Sequence, residues 1–304
     1  LTEIAVQAFY SNSDKVTKIV LPNTLQKIGN YAFANMILTE IALPDSVTEI
    51  GYSLFDQTTT LEQVTFSKNI SVVPSSTFSD NAKLTAFDFS GIEEIGEGAF
   101  KNCGLTQADL SNVKSIAKNA FAGCSALNAV TFSQELESIG SYAFYETALT
   151  EIYVPASVAE IGDYAFAVNE LVEKVTLATG IAGKGAFQQN TALTTVEFVG
   201  GKEYSVGVQV FYQCSKLTAV SFGAGLTNIG TYAFMESAVT KLSLPSSLKS
   251  IGDYAFYNCA KLDAVTFQEG LASVGKYSFQ GTAVTELSLP ASLTEYGEGA
   301  FFSC

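Results

Sequence analysis

The chain contains no histidine, no arginine and no tryptophan, and all 16 of its basic residues are lysine. Without histidine there is no Ser-His-Asp or Cys-His nucleophile pair, no imidazole acid or base and no histidine-ligated metal. Without arginine there is no planar, bidentate clamp for phosphate or carboxylate. The 30 Asp and Glu residues leave a net charge of −14. Such a chain is a poor match for nucleic acid, where phosphate contacts dominate affinity, and it is repelled by an anionic membrane surface. No apolar run reaches the length of a membrane-spanning helix, so no membrane insertion by this segment is expected. Neither a calcium-loop Asp-x-Asp-x-Asp-Gly run nor a phosphate-cradling Gly-x-x-x-x-Gly-Lys-Ser/Thr string is present, and no cofactor is expected. Charged residues are scarce, 15% against 47% hydrophobic, which excludes a disordered chain. Leu1, in place of an initiator Met, reads as the start of an excised or processed segment.

What is present is one motif many times over. Ile-Gly-x-Tyr-Ala-Phe occupies 28–33, 139–144, 161–166, 229–234 and 251–256. Its final Phe recurs at Phe9, Phe33, Phe55, Phe78, Phe100, Phe121, Phe144, Phe166, Phe187, Phe211, Phe234, Phe256, Phe279 and Phe301. The mean interval of about 22.5 residues lies inside the range of leucine-rich repeats. Between anchors runs Leu/Val-x-x-Ile/Val-x-Leu/Phe, as in Leu38–Ile41–Leu43 and Leu262–Val265–Phe267, whose alternation reads as a short strand with one face inward. Pro22, Pro44, Pro155, Pro245 and Pro290 stop several of these strands. Then comes Leu/Val-x-x-Ile-Gly, as in Leu248–Ile251–Gly252, where the glycine is expected to permit a tight bend. The stretch from there through the Phe reads as about one helical turn.

One such unit cannot bury its apolar face alone, but a stack of them can. The expected fold is therefore an α/β repeat solenoid of about 13 coils. Short parallel β-strands form one side and helical turns the opposite side. Residues 1–304 are expected to form a single solenoid cut mid-repeat at both ends, because Leu1–Phe9 aligns onto Leu25–Phe33 and the chain stops at Phe301-Phe302-Ser303-Cys304. Open ends would expose core and sheet edge, so end-to-end self-association is a risk.

The five cysteines share one column, three residues after an anchor: Cys103, Cys124, Cys214, Cys259 and Cys304. Asn12, Met36, Thr58, Asn81, Thr147, Asn169, Asn190, Ser237 and Thr282 occupy the same column elsewhere. Small polar residues at a turn predict a buried ladder that hydrogen-bonds the backbone. The spacings fit no metal motif, and only Cys103 and Cys124 fall in adjacent coils, where a disulfide is geometrically allowed.

The string Ile-Gly-x-Tyr-Ala-Phe-x-x-Cys-x-x-Leu-x-x-Ile-x-Leu/Phe-Pro, clearest at 139–155, 229–245 and 251–267, resembles the BspA-like leucine-rich repeat family. The resemblance spans essentially the whole chain. It implies a right-handed leucine-rich-repeat solenoid, secreted or displayed on the cell surface, of the kind found in oral and gut anaerobic bacteria and some parasitic protists. It further implies association with adhesion to host proteins or other cells, and it carries no catalytic residues. The expected function is a non-catalytic interaction module for a host extracellular or cell-surface protein, with a passive spacer or a glycan-binding module as alternatives.

Two surfaces offer themselves. An outward column of the sheet holds mostly small polar residues, with Tyr153 as its one large aromatic and Asp88 and Asp109 as its acidic members. It lacks the Trp and Arg that dominate binding hot spots. A second stripe, two residues before the anchor, holds Tyr31, Tyr142, Tyr164, Tyr232, Tyr254 and Tyr277. These rings are expected to pack flat over the turn, and an aromatic ladder for a protein or glycan partner is the functional alternative. Glu93, Glu94 and Glu97, and Glu295 with Glu298, are carboxylate clusters in turns, but a single stacked repeat offers no deep cleft for catalysis. The pattern breaks at 178–187 and 199–210, and at Val73-Pro74, which replaces Ile-Gly. These breaks read as loop variation or as a bulge that shapes a surface.

Overall fold

The computed structural model describes residues 1–12, 15–180 and 182–304. The chain forms two compact units, Leu1–Ala148 and Leu149–Cys304. Each is a parallel β-solenoid whose coils have three walls. One wall carries the longer strands, a second carries two-residue strands, and a third is the turn that ends in the anchor Phe.

In the first unit the longer strands Glu40–Ala42 and Gln63–Thr65 pair in parallel, as do Gln107–Leu110 and Ala129–Phe132. Residues 84–89 carry the strand pattern without forming a ladder. The short strands stack as Glu3–Ile4, Lys27–Ile28 and Glu49–Ile50, then as Val72–Val73, Glu94–Ile95, Ser115–Ile116 and Ser138–Ile139. In the second unit Glu151–Val154, Lys174–Leu177, Thr195–Phe198 and Ala219–Ser221 form a continuous parallel sheet, and Lys241–Ser243 pairs with Ala264–Thr266. Its short-strand wall runs Tyr204–Val206, Leu226–Ile229, Ser250–Ile251, Ser273–Val274 and Glu295–Tyr296. Equivalent positions pair in register, Ile251 with Ile229 and Val274, so inward residues fall into columns.

The expected helical turn is absent: no α-helix occurs among the described residues. The residues two before and two after each anchor sit instead in the left-handed region, as at Tyr254 (φ 55°) and Asn258 (φ 56°). Every second amide in the turn then points out of its own coil. Tyr254, Phe256 and Asn258 donate to Lys276, Ser278 and Gln280 of the following coil at 2.8, 2.8 and 2.9 Å. The amides between bond back three residues, as Tyr257 does to Tyr254 at 3.2 Å. In both units these between-coil bonds run the same way, N–H of one coil to C=O of the next. A turn with Ala, Phe and Cys at helical spacing is thus a third hydrogen-bonded wall, which satisfies backbone groups that a lone turn would leave open.

The anchor rings fill the interior. In the first unit Phe9 through Phe144 stack at centroid separations of 5.1 to 5.7 Å, and in the second Phe166 through Phe301 at 5.2 to 5.6 Å. All but Phe9 and Phe301 are fully buried. The recurring glycine before the turn proves to serve close approach rather than a bend. A Cβ on Gly252 would lie 2.7 Å from the backbone nitrogen of Thr231 in the coil before.

The polar column is the expected buried ladder. Thr58, Asn81, Cys103, Cys124, Cys214 and Cys259 each donate to the anchor carbonyl of the preceding coil, from Cys103 Sγ to Phe78 O at 2.9 Å and from Cys214 Sγ to Phe187 O at 3.3 Å. Cys103 and Cys124 are free thiols. Burial pushes the Cys124 and Cys214 thiols up to about 12 and Cys259 up to about 11.

The irregular stretch at 178–187 is a short coil whose Ile181 lies outside the described residues. Tyr204 of the next coil compensates. It takes the core position of Leu226 in the pairing register, stacks on Phe198 at 5.0 Å and accepts a 2.9 Å bond from the Gly223 amide. A Cβ on Gly180 would overlap the Tyr204 ring, so glycine is needed where that ring crosses over. A notch of about 490 Å³ remains beside it, walled by Ala156–Ala159 and Val199–Tyr204.

Candidate functional site

Exposed long strands and the outer side of the turn wall are the two surfaces that carry the candidate residues. On the sheet wall the register confirms the outward columns: Tyr153 pairs with Thr176, and Thr176 with Glu197. Tyr153 is half exposed, whereas the Lys174 ammonium beside it pairs with Glu197 at 2.9 Å. Asp88 and Asp109 lie in the first unit and Tyr153 in the second. Both carboxylates serve their own turns. Asp88 accepts the Ser90 amide at 3.0 Å and Asp109 the Ser111 amide at 3.1 Å. The Ser90 bond also holds the Asp88 carboxyl below the ordinary carboxylate range. Each carboxylate thus also braces its own turn.

The turn wall is where aromatic residues gather. The left-handed conformation two residues before each anchor swings the side chain outward across the next coil. In the second unit Tyr232, Tyr254 and Tyr277 occupy this position in successive coils and stack, at 5.1 Å and 18° for the first pair and 5.4 Å and 29° for the second. Tyr257 meets Tyr254 edge-on at 5.5 Å. The far side of Tyr277 lies over Gly299, where a Cβ would come within 2.3 Å of its ring. The Glu298 carboxylate beside it raises the Tyr277 phenol above its ordinary value. All three stacked tyrosines are half buried.

The remaining members of the stripe sit in other company. Tyr31 is edge-on to Tyr52 at 5.2 Å and to Tyr10 at 6.4 Å in the first unit. Tyr142 meets Tyr145 at 5.5 Å there, and Tyr164 of the second unit lies against Gly185. Sequence reasoning missed Tyr52, because in Ile-Gly-Tyr-Ser-Leu-Phe the ring falls one residue early. It also passed over Met235, which takes the position of Tyr257 one coil earlier. The acidic clusters are dispersed and exposed: Glu93 pairs with Lys114 at 2.9 Å and Glu97 with Lys118 at 3.8 Å. Among the described residues no group of three acidic or cysteine side chains is placed to hold a metal ion.

Stacked coils with parallel strands, a Phe column and a polar ladder define a leucine-rich-repeat solenoid. The family model described as "BspA type Leucine rich repeat region" matches residues 2–112, 93–204 and 183–304. The chain belongs to the BspA-type leucine-rich repeat family. Among solved structures it is similar to a leucine-rich repeat protein of Bacteroides ovatus, at 24% identity and a TM-score of 0.70, over 100% of this chain and 68% of that one. It is also similar to a leucine-rich cell surface protein of Faecalibacterium prausnitzii, at 22% identity and a TM-score of 0.53, over 98% of this chain and 88% of that one. No curated protein matches the chain.

Proposed function

We propose that the chain is a non-catalytic interaction module, secreted or displayed at the cell surface, that binds an extracellular protein through the tyrosine face of the second unit. The observation that carries this reading is the ladder Tyr232–Tyr254–Tyr277, three partly buried rings locked in one row by stacking. Tyrosine offers large contact area for little loss of side-chain freedom, and rings already held in place lose less still on binding. The stacking also favours protein over glycan. A sugar ring stacks on an exposed aromatic face, and both faces of Tyr254 are covered by its neighbours. What the row presents is ring edges and hydroxyls, which suit the carbonyls and side chains of a polypeptide. The surface location rests on family membership and on the likeness to a cell surface protein of Faecalibacterium prausnitzii.

The test is a biosensor panel of immobilised extracellular-matrix and serum proteins. It compares the wild-type chain with the triple variant Tyr232→Ser/Tyr254→Ser/Tyr277→Ser and with Tyr153→Ser. Loss of binding in the triple variant alone, with unchanged circular dichroism, supports the tyrosine face. Equal binding by all three removes it, and selective loss in Tyr153→Ser moves the site to the sheet wall.

A further inference from the structure

We infer that the tyrosine face of the second unit takes a basic polypeptide, one whose Lys or Arg side chains enter carboxylates fixed along the ring edges. The inference rests on the reading of that face given above. Backbone bonds put an acidic residue beside nearly every ring. The Tyr232 amide donates to Asp253 O at 3.0 Å, the Tyr277 amide to Glu298 O at 3.0 Å, and the Glu236 amide to Tyr257 O at 2.9 Å. Each carboxylate is then held by a single contact. Asp253 Oδ1 accepts the Lys276 amide at 2.7 Å, Glu236 Oε2 accepts Gln213 Nε2 at 3.0 Å, and Glu298 stands beside the Tyr277 phenol.

An ionised carboxylate accepts about four hydrogen bonds, so each of the three retains capacity for a cation. Their side-chain orientations are already set, which lowers the ordering cost of recognition. Beside the three stacked rings the two flanking columns hold Lys276 against Glu236, Asp253 and Glu298, with Lys184 in the same column two coils before Tyr232. The wider field has the same sign, since the chain carries −14 and has no arginine of its own. Such a field steers cationic partners and repels anionic ones. Tyrosine edges beside carboxylates supply the apolar shelf on which the methylene stem of a lysine or arginine lies.

The experiment is a binding titration with a labelled 15-residue peptide of alternating Lys and Gly at low salt, and with its Glu/Gly counterpart. Proteins compared are wild type, the face variant Glu236→Gln/Asp253→Asn/Glu298→Gln, and a control of equal charge change in the first unit, Glu94→Gln/Glu135→Gln/Glu137→Gln. The amide replacements keep an acceptor oxygen, so packing contacts survive. Expected is a loss of about tenfold for the face variant and under about twofold for the control, from two- to threefold per exposed charge pair. Affinity should fall further as salt screens the pairs. Equal losses in both variants reduce the effect to net charge and overturn the inference, as does absence of Lys-peptide binding or equal binding of the Glu peptide. The two readings separate in the protein panel. A partner lost by the Tyr→Ser triple but bound unchanged by the face variant keeps the tyrosine site and discards its basic ligand.

Discussion

Replacing Phe256 by Ala tests the architecture at its densest point. The ring is fully buried and lies between Phe234, at 5.2 Å and 1°, and Phe279, at 5.2 Å and 16°. Truncating a buried Phe to Ala costs about 3–5 kcal/mol through lost transfer energy and the cavity left behind. Two stacked pairs disappear as well, each worth about 0.5–1.5 kcal/mol beyond area. The backbone on either side is pinned between coils, by the Tyr254, Phe256 and Asn258 amides, so the cavity has little room to collapse. We expect a loss in the upper part of the range, about 4–5 kcal/mol. Phe301 provides the internal scale. It is partly exposed and has one stacked partner, Phe279 at 5.5 Å, so Phe301→Ala should cost about 2 kcal/mol in proportion to burial. The assay is guanidinium unfolding followed by far-UV circular dichroism and by tyrosine fluorescence, which no tryptophan obscures. A loss under about 1 kcal/mol for Phe256→Ala, or equal losses at the two sites, would refute the buried column.

Two further outcomes follow from side chains inside the coils. The thiols of Cys124, Cys214 and Cys259 stay protonated well past the ordinary value of 9.0. As pH rises through 9 the unfolded chain therefore loses protons that the folded chain keeps. The stability these thiols contribute is complete below about pH 9 and declines toward the folded values near 12, by about 1.4 kcal/mol per thiol at pH 10. Cys124→Ala/Cys214→Ala should flatten that slope in urea midpoints taken at pH 8 and 10, and an unchanged slope would contradict the burial. Val168 holds a left-handed φ of 60° that a β-branched residue adopts poorly, at a position where other coils carry Asn, Gln, Asp, Glu, Ser or Gly. Val168→Asn should therefore raise stability by about 1 kcal/mol, read as a higher melting temperature. A lower one would mean that its packing outweighs the strain.

The walls that face the core were legible in the chain because they are written by burial. The Phe spacing placed the ring column, and the Asn, Cys, Thr and Ser positions placed the ladder, since each answers a side-chain demand that recurs once per coil. The turn wall was misread because its demand is on the backbone. An Ala-Phe pair with Cys three residues on looks helical, and a tyrosine such as Tyr254 gives no local hint of positive φ. Only bonds to the neighbouring coil reveal why that conformation persists, and they lie some 22 residues away in the chain. The candidate site was half legible for the same reason. The Tyr stripe was visible as a column, but which rings stack, and which carboxylates stand beside them, depends on the side-chain direction that the left-handed backbone sets. That Asp88 and Asp109 also close turns, through Ser90 and Ser111, was not visible in the column pattern.

The one-way run of amide donors along the third wall makes the stack a polymer with a grain. Cut out a complete lap, such as 212–234, and the Phe211 amide that now meets Ala233 would meet Ala255 instead, donor still facing acceptor. Remove half a lap and the match is lost, with rings and glycines out of phase as well. Gene segments encoding this architecture should thus lengthen and shorten in whole laps, which lets reach be tuned without redesigning the interior.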